Sequence, residues 1–206
     1  NICQLPFWSL TIYFSWKVYN SREIKFNDCF LVGLFAAFGF LSKYLFIYLL
    51  ASIDLLFIYL IFIRKERKFD FKYLITAEVF LITLVPHFIW LNNNEFITIT
   101  YGLARSGLEQ SSLLDHIKYP FIFLIKQIGL LIPFLILVWL LVKSIKFKFN
   151  LKDKRLLFLL AINILPIMLM FLTSVVTGSK IRTMWMTPFY LFFGTLFVYL
   201  FQAQIN

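Results

Sequence analysis

The chain alternates between long apolar runs and short polar connections, and the lengths of the runs carry most of the early information. An α-helix rises 1.5 Å per residue, so crossing a hydrocarbon core of about 30 Å takes about 20 residues. Four runs have that length: Tyr44 to Ile63, Tyr73 to Leu91, Phe121 to Val142 and Leu156 to Val176. Met184 to Phe201 is adequate, while Leu5 to Trp16 and Asp28 to Ser42 are short. The pattern predicts an all-α, polytopic integral membrane helix bundle with about seven helical segments. With no internal repeat and no low-complexity linker, residues 1–206 read as a single transmembrane domain.

Composition agrees with that pattern. Of the 206 residues, 61% are hydrophobic and 15% charged, against about 45–50% and about 25% in soluble domains. A net charge of +10 elsewhere suggests nucleic acid, but here the cations punctuate the apolar runs, so no nucleic-acid partner is expected. Fourteen of the 20 basic residues fall in three clusters on alternate loops: Lys17, Arg22 and Lys25; Arg64, Lys65, Arg67, Lys68 and Lys72; Lys143, Lys146, Lys148, Lys152, Lys154 and Arg155. The positive-inside rule assigns these loops to the cytoplasm and leaves Lys43, the loop from Asn92 to Tyr119 and the loop from Gly178 to Thr183 on the outer face. Cys3 and Cys29 then lie near opposite faces and are not expected to pair.

Prolines punctuate the spans. Pro86, Pro133 and Pro166 interrupt theirs, whereas Pro120 and Pro188 are expected in first turns, where the missing N–H costs nothing. The Gly33 and Ala37 spacing fits close helix packing. The chain begins with Asn1 and shows no charged segment with a small-residue cleavage site, which reads as part of a longer protein.

No phosphate-binding glycine loop, zinc-protease helix or nucleophile elbow is present, so the candidate chemistry rests on polar residues near the membrane. Lys43 ends a short helix and is either a cation inside an outward cavity or a lysine snorkelling to headgroups. Asp54 sits mid-span, where a charge costs about 2.5–3.5 kcal/mol, and so should face the interior with a partner or proton. Glu78 is shallower and within reach of Lys72. His87 follows Pro86 near the surface, either binding a polar ligand or simply hydrogen-bonded, and Asn92 closes the same segment beside an anchoring Trp90. His87 and His116 have no second ligand at helical spacing, so no cofactor is expected and a divalent metal stays open.

Lys180 and Arg182 are the most informative pair. They occupy a short outer loop against the positive-inside bias and precede the last helix, where backbone donors favour an anion. A lipid-linked phosphate is the natural partner, and an ordinary headgroup the alternative. Arg105 and Lys118 are weaker members of the same set. The outer acids Glu95, Glu109 and Asp115 read as solvated loop residues.

Four segments in order resemble glycosyltransferase family 39, the group of protein O-mannosyltransferases and the lipid A aminoarabinose transferase. They are Gly39-Phe-Leu-Ser-Lys43-Tyr44, Pro86-His87-Phe-Ile-Trp90-Leu-Asn92, Lys126-Gln127-Ile-Gly-Leu-Leu-Ile-Pro133, and Gly178-Ser-Lys180-Ile-Arg182-Thr-Met-Trp185-Met-Thr-Pro188. The resemblance implies a GT-C type membrane enzyme in the bacterial inner membrane, active on the face outside the cytoplasm. Its partners would be membrane lipids, a polyprenyl-phosphate-linked sugar, and an acceptor glycan, lipid or protein. By the same resemblance Lys43, Lys180 and Arg182 would neutralise the donor phosphate, with His87 and Asn92 near the sugar. The family's catalytic carboxylate lies in an outer loop after its first membrane helix, upstream of this chain, so the chain supplies the middle, donor-lipid-binding part and should be inactive alone. A transporter or flippase for an anionic or lipid-linked substrate is the rival reading, since broken helices and mid-span charges suit that class.

Overall fold

The computed structural model describes residues 2–107, 112–142 and 150–202. Among them the chain is α-helical, with short 3-10 and π turns, and it divides into two compact units, Asn1–Gly102 and Leu103–Asn206. Four helical stretches are long and apolar enough to cross a membrane: Tyr44–Ile63, Lys72–Asn93, Asp115–Leu141 and Lys154–Thr177. These correspond to the four long runs expected from the sequence, with ends shifted by at most two residues except at Asp115. Their apolar side chains face outward in number, Ile82 being 69% exposed and Leu140 69%. Such surfaces are untenable in water and ordinary against lipid.

The first unit holds α1 (Gln4–Asn20), α2 (Phe26–Ser42), α3 (Ile47–Ile58), α4 (Lys72–Asn93) and most of α5 (Ile97–Ser106). Helix α2 packs between α1 and α4, and small residues let it do so. A Cβ on Gly33 would lie 2.5 Å from the Thr76 carbonyl oxygen on α4, and one on Gly39 would strike the buried Phe46 ring. Ala36 and Ala37 are 2% and 0% exposed on the same helix. The core around them is aromatic: Trp8 and Phe46 meet edge to face at 5.3 Å, and Phe14 stacks on Phe35 at 5.6 Å.

Basic side chains tie one end of this unit together. Arg67 donates to the carbonyls of Val18, Tyr19 and Ser21, which α1 leaves unpaired at its C-terminus. Lys72 Nζ donates to the Ile24 carbonyl at 2.9 Å, and Lys17 pairs with Asp28 at 2.7 Å. Residues of the first two basic clusters therefore bind carbonyls around the end of α1 and an acid of α2. Glu78, expected within reach of Lys72, is exposed on α4 instead.

In the second unit lie α6 (Asp115–Leu141), α7 (Lys154–Asn163), α8 (Leu165–Thr177) and α9 (Phe193–Phe201). Helix α6 packs on α8, and α7 contacts both α8 and α9. The break between α7 and α8 falls at Ile164, two residues before Pro166, which takes a first-turn position in α8. Asp153 caps α7 by accepting from the Arg155 N–H at 2.9 Å. The Tyr199 hydroxyl also donates to Asp153 and, with the Arg155 N–H, holds its carboxyl below the usual range. Of the third basic cluster, Lys143, Lys146 and Lys148 lie outside the described residues, as does Glu109.

Three expectations change. Pro120 is inside α6 and not in a first turn, because the helix starts at Asp115, whose carboxylate accepts from the Ser112 N–H at 2.8 Å and hydroxyl at 3.0 Å. The last run is not a full span: its apolar helix covers Thr187–Phe201 and is regular α only from Phe193. Pro188 has no N–H, and Phe189 and Leu191 donate three residues back, to Met186 and Pro188 at 3.0 and 3.2 Å, winding the entry as a 3-10 turn. The long loop after α4 contains α5, which no apolar run announced because all its residues but one are exposed.

Candidate functional site

One end of the first unit is built where α2 stops. Its last turn closes with the Lys43 N–H donating to the Gly39 carbonyl at 3.1 Å, and Lys43 leaves the helix in extended geometry. A 3-10 turn, Tyr44–Phe46, then redirects the chain into α3, with Phe46 fully buried against Trp8. That turn swings Tyr44 toward α4. Its hydroxyl lies 2.7 Å from His87 Nε2 and 2.7 Å from Thr98 Oγ1. Three elements that are 43 and 54 residues apart in sequence thus meet at one phenol.

Aromatic packing fixes the geometry of the cluster. His87 stacks on Trp90 with ring centroids 5.9 Å apart and 13° between planes, while Tyr44 packs against Phe40 at 5.2 Å. One hydroxyl shared by an imidazole nitrogen and a second hydroxyl forms a short polar relay. It can pass a proton or present a donor and an acceptor to a sugar hydroxyl. Thr98 and Tyr44 were not singled out in the sequence; only the adjacency of Tyr44 to Lys43 pointed toward it.

The sequence candidates of this unit distribute as follows. Lys43 is half-buried directly before Tyr44, His87 is half-buried inside the relay, and Asn92 is exposed near the end of α4. The α4 terminus is capped locally: Asn94 Nδ2 donates to the Trp90 carbonyl at 2.8 Å, and Glu95 and Phe96 take positive φ of 52° and 54° to turn into α5. Non-glycine residues in that region are uncommon. The Phe96 N–H donates to the Leu91 carbonyl at 2.9 Å and helps hold the turn.

The second unit carries the other two candidates, Lys180 and Arg182, in the connection after α8. Gly178 ends α8 in the left-handed region at φ 67°, the conformation a helix-terminal glycine supplies. Ser174 donates its hydroxyl to the Ser179 carbonyl at 2.8 Å, and the Lys180 N–H donates to the Ser106 carbonyl at 2.9 Å. Ile181 is buried between the two cations, and Lys180 and Arg182 are both exposed. No long helix starts beside them. Thr183–Trp185 and Thr187–Tyr190 are 3-10 turns, so the backbone dipole expected to favour an anion is not at this loop, and the two side-chain charges are what remain.

Two further polar groups surfaced only in three dimensions. Tyr190 donates its hydroxyl to Gln127 Oε1, and Gln127 is 5% exposed with its Nε2 unsatisfied among the described residues. His116 Nδ1 lies 2.8 Å from the Val175 carbonyl, which assigns that histidine a structural contact. Among the described residues no three His, Cys, Asp or Glu side chains converge to hold a metal ion.

Residues 1–90 match the family model described as dolichyl-phosphate-mannose-protein mannosyltransferase. The matched stretch includes Lys43, Tyr44 and His87 and stops before Asn92 and the whole second unit. Over that stretch it supports the resemblance to glycosyltransferase family 39. No curated protein and no solved structure matches the chain.

Proposed function

We propose that this chain is the donor-lipid-binding part of a membrane glycosyltransferase that moves a sugar from a polyprenyl phosphate to an acceptor on the outer face of the membrane. The observation that carries this reading is the Tyr44–His87–Thr98 relay beside Lys43, within the segment that matches the mannosyltransferase family. In the reaction the acceptor hydroxyl attacks the anomeric carbon, the bond to the phosphate oxygen breaks, and the polyprenyl phosphate leaves with its charge. A cation held against that phosphate stabilises charge that grows as the bond breaks, which is where electrostatic catalysis is effective. Lys43 in the first unit and Lys180 and Arg182 in the second supply cations of the right sign.

The relay has a separate task. A phenol and an imidazole can accept and donate at sugar hydroxyls, fixing the orientation of the transferred ring. Neither is nominated as the catalytic base. A transporter would use the same cations, but it would carry the sugar lipid across without cleaving it.

The test is equilibrium binding of a short-chain polyprenyl phosphate to the full-length protein in nanodiscs. Lys43→Ala, Lys180→Ala and Arg182→Ala should each weaken binding by about tenfold, the loss of about 1.4 kcal/mol expected for one charge-assisted contact. Unchanged affinity in all three would overturn the phosphate assignment. Release of free polyprenyl phosphate from a sugar-loaded donor separates the transferase from the transporter.

A further inference from the structure

The first unit contains a cavity of about 460 Å³ bounded by α1, α2, α3, α4 and the π turn that follows α3. That volume falls in the range of small-molecule sites. Most of its wall is hydrocarbon, but Thr11, Ser15, Tyr73 and Thr76 line it together with Asp54. Thr11 and Ser15 are 0% and 1% exposed, and neither their hydroxyls nor that of Tyr73 meets a hydrogen-bond partner among the described residues. Asp54 stands exposed at the rim, midway along the 20-residue stretch Tyr44–Ile63. It joins neither of the ion pairs, Lys17–Asp28 and Arg64–Glu66, formed among the described residues.

The carboxyl is costly without an occupant, because a charge at mid-span needs a partner. The wall also departs from regular helix: the Arg64 N–H donates five residues back to the Tyr59 carbonyl at 2.9 Å, and the π turn so formed contributes Ile61 and Phe62 to the cavity. Turns of this kind recur at functional sites.

We propose that this cavity is a binding site for an amphiphile with an ammonium head on a hydrocarbon chain, distinct from the phosphate site and independent of it. The sign of the lining decides the class. Asp54 is the one charged residue of the lining, whose other polar residues are Thr11, Ser15, Tyr73 and Thr76, and no lysine, arginine or histidine lines it. A phosphate or carboxylate head would meet a like charge there. An ammonium head pairs with the Asp54 carboxylate at the rim, and its chain matches the apolar wall.

The probe is spin-labelled dodecylamine added to the full-length protein in phosphatidylcholine nanodiscs, with protein-free nanodiscs subtracted. The expected result is saturable binding that unlabelled dodecylamine displaces and dodecyl phosphate does not. Asp54→Asn, close in size and uncharged, should weaken the amine by about tenfold or more while leaving polyprenyl phosphate binding unchanged, so loss of one reading is separable from loss of the other. Binding that does not saturate, equal displacement by dodecyl phosphate, or an Asp54→Asn affinity equal to that of the native protein would overturn the proposal.

Discussion

The two regions that carry candidate cations are held in place by opposite means. In the first unit the relay depends on tertiary contact: Tyr44 reaches His87 and Thr98 because α2 lies close against α4, and that approach depends on glycine and alanine at the interface. In the second unit the loop bearing Lys180 and Arg182 is shaped mainly over a few residues, by Gly178 in its left-handed conformation and by the Ser174 hydroxyl five residues from its acceptor. Within a bilayer, close packing and interhelical hydrogen bonds take over much of what burial does in water. A site built on packing should therefore fail as a whole when one interface residue grows, whereas a site built on a turn should fail locally.

The largest effect should come from Gly33→Leu. A side chain there meets the Thr76 backbone at 2.5 Å, which cannot move aside as a flexible side chain would. Overpacking of this kind costs about 1–3 kcal/mol or more, and α2 and α4 should separate. A lower thermal midpoint in detergent, with loss of the Tyr44–His87 contact by cross-linking, is the expected outcome. A native midpoint would mean that the first unit does not depend on that approach.

Gly178→Ala should cost about 1–2 kcal/mol, the penalty of placing a β-carbon in the left-handed region. Its effect should stay at the α8 terminus: hydrogen exchange should rise at Ser179 and Lys180 and remain native at Tyr44 and His87. Exchange rising equally in both units would erase the distinction between a local and a packed site.

Tyr44→Phe should have the smallest effect on stability, about 1 kcal/mol for the hydrogen bonds lost, because the ring and its contact with Phe40 remain. Its signature is spectroscopic. The His87 imidazole resonances should shift while those of His116, bonded to the Val175 carbonyl, stay in place. Invariant His87 signals would show that the relay is not formed in solution.

How much was legible in advance follows the same division. The four long spans could be read because membrane thickness acts on each segment separately, and the basic loops could be read because charge is counted locally. The last run could not: Pro188 and the hydrogen bonds of Phe189 and Leu191 convert its start to a 3-10 turn, which hydropathy does not register. Helix α5 was hidden because its exposed residues include no long apolar run. Lys43 and His87 stood out as polar groups in apolar surroundings, while Thr98, an ordinary threonine in a polar loop, gave no signal.

The sequence by itself determined that this is a helical membrane chain, where its long spans lie and which ends carry the basic loops, since each follows from hydrophobic length and local charge. Only the tertiary structure decided that Tyr44 joins His87 to Thr98 and that Asp54 stands at the rim of a cavity with three unsatisfied hydroxyls. The physical reason is range. Transfer into a bilayer depends on a segment's own residues, whereas a polar cluster exists only when helices distant in sequence pack closely enough for a 2.7 Å hydrogen bond to form.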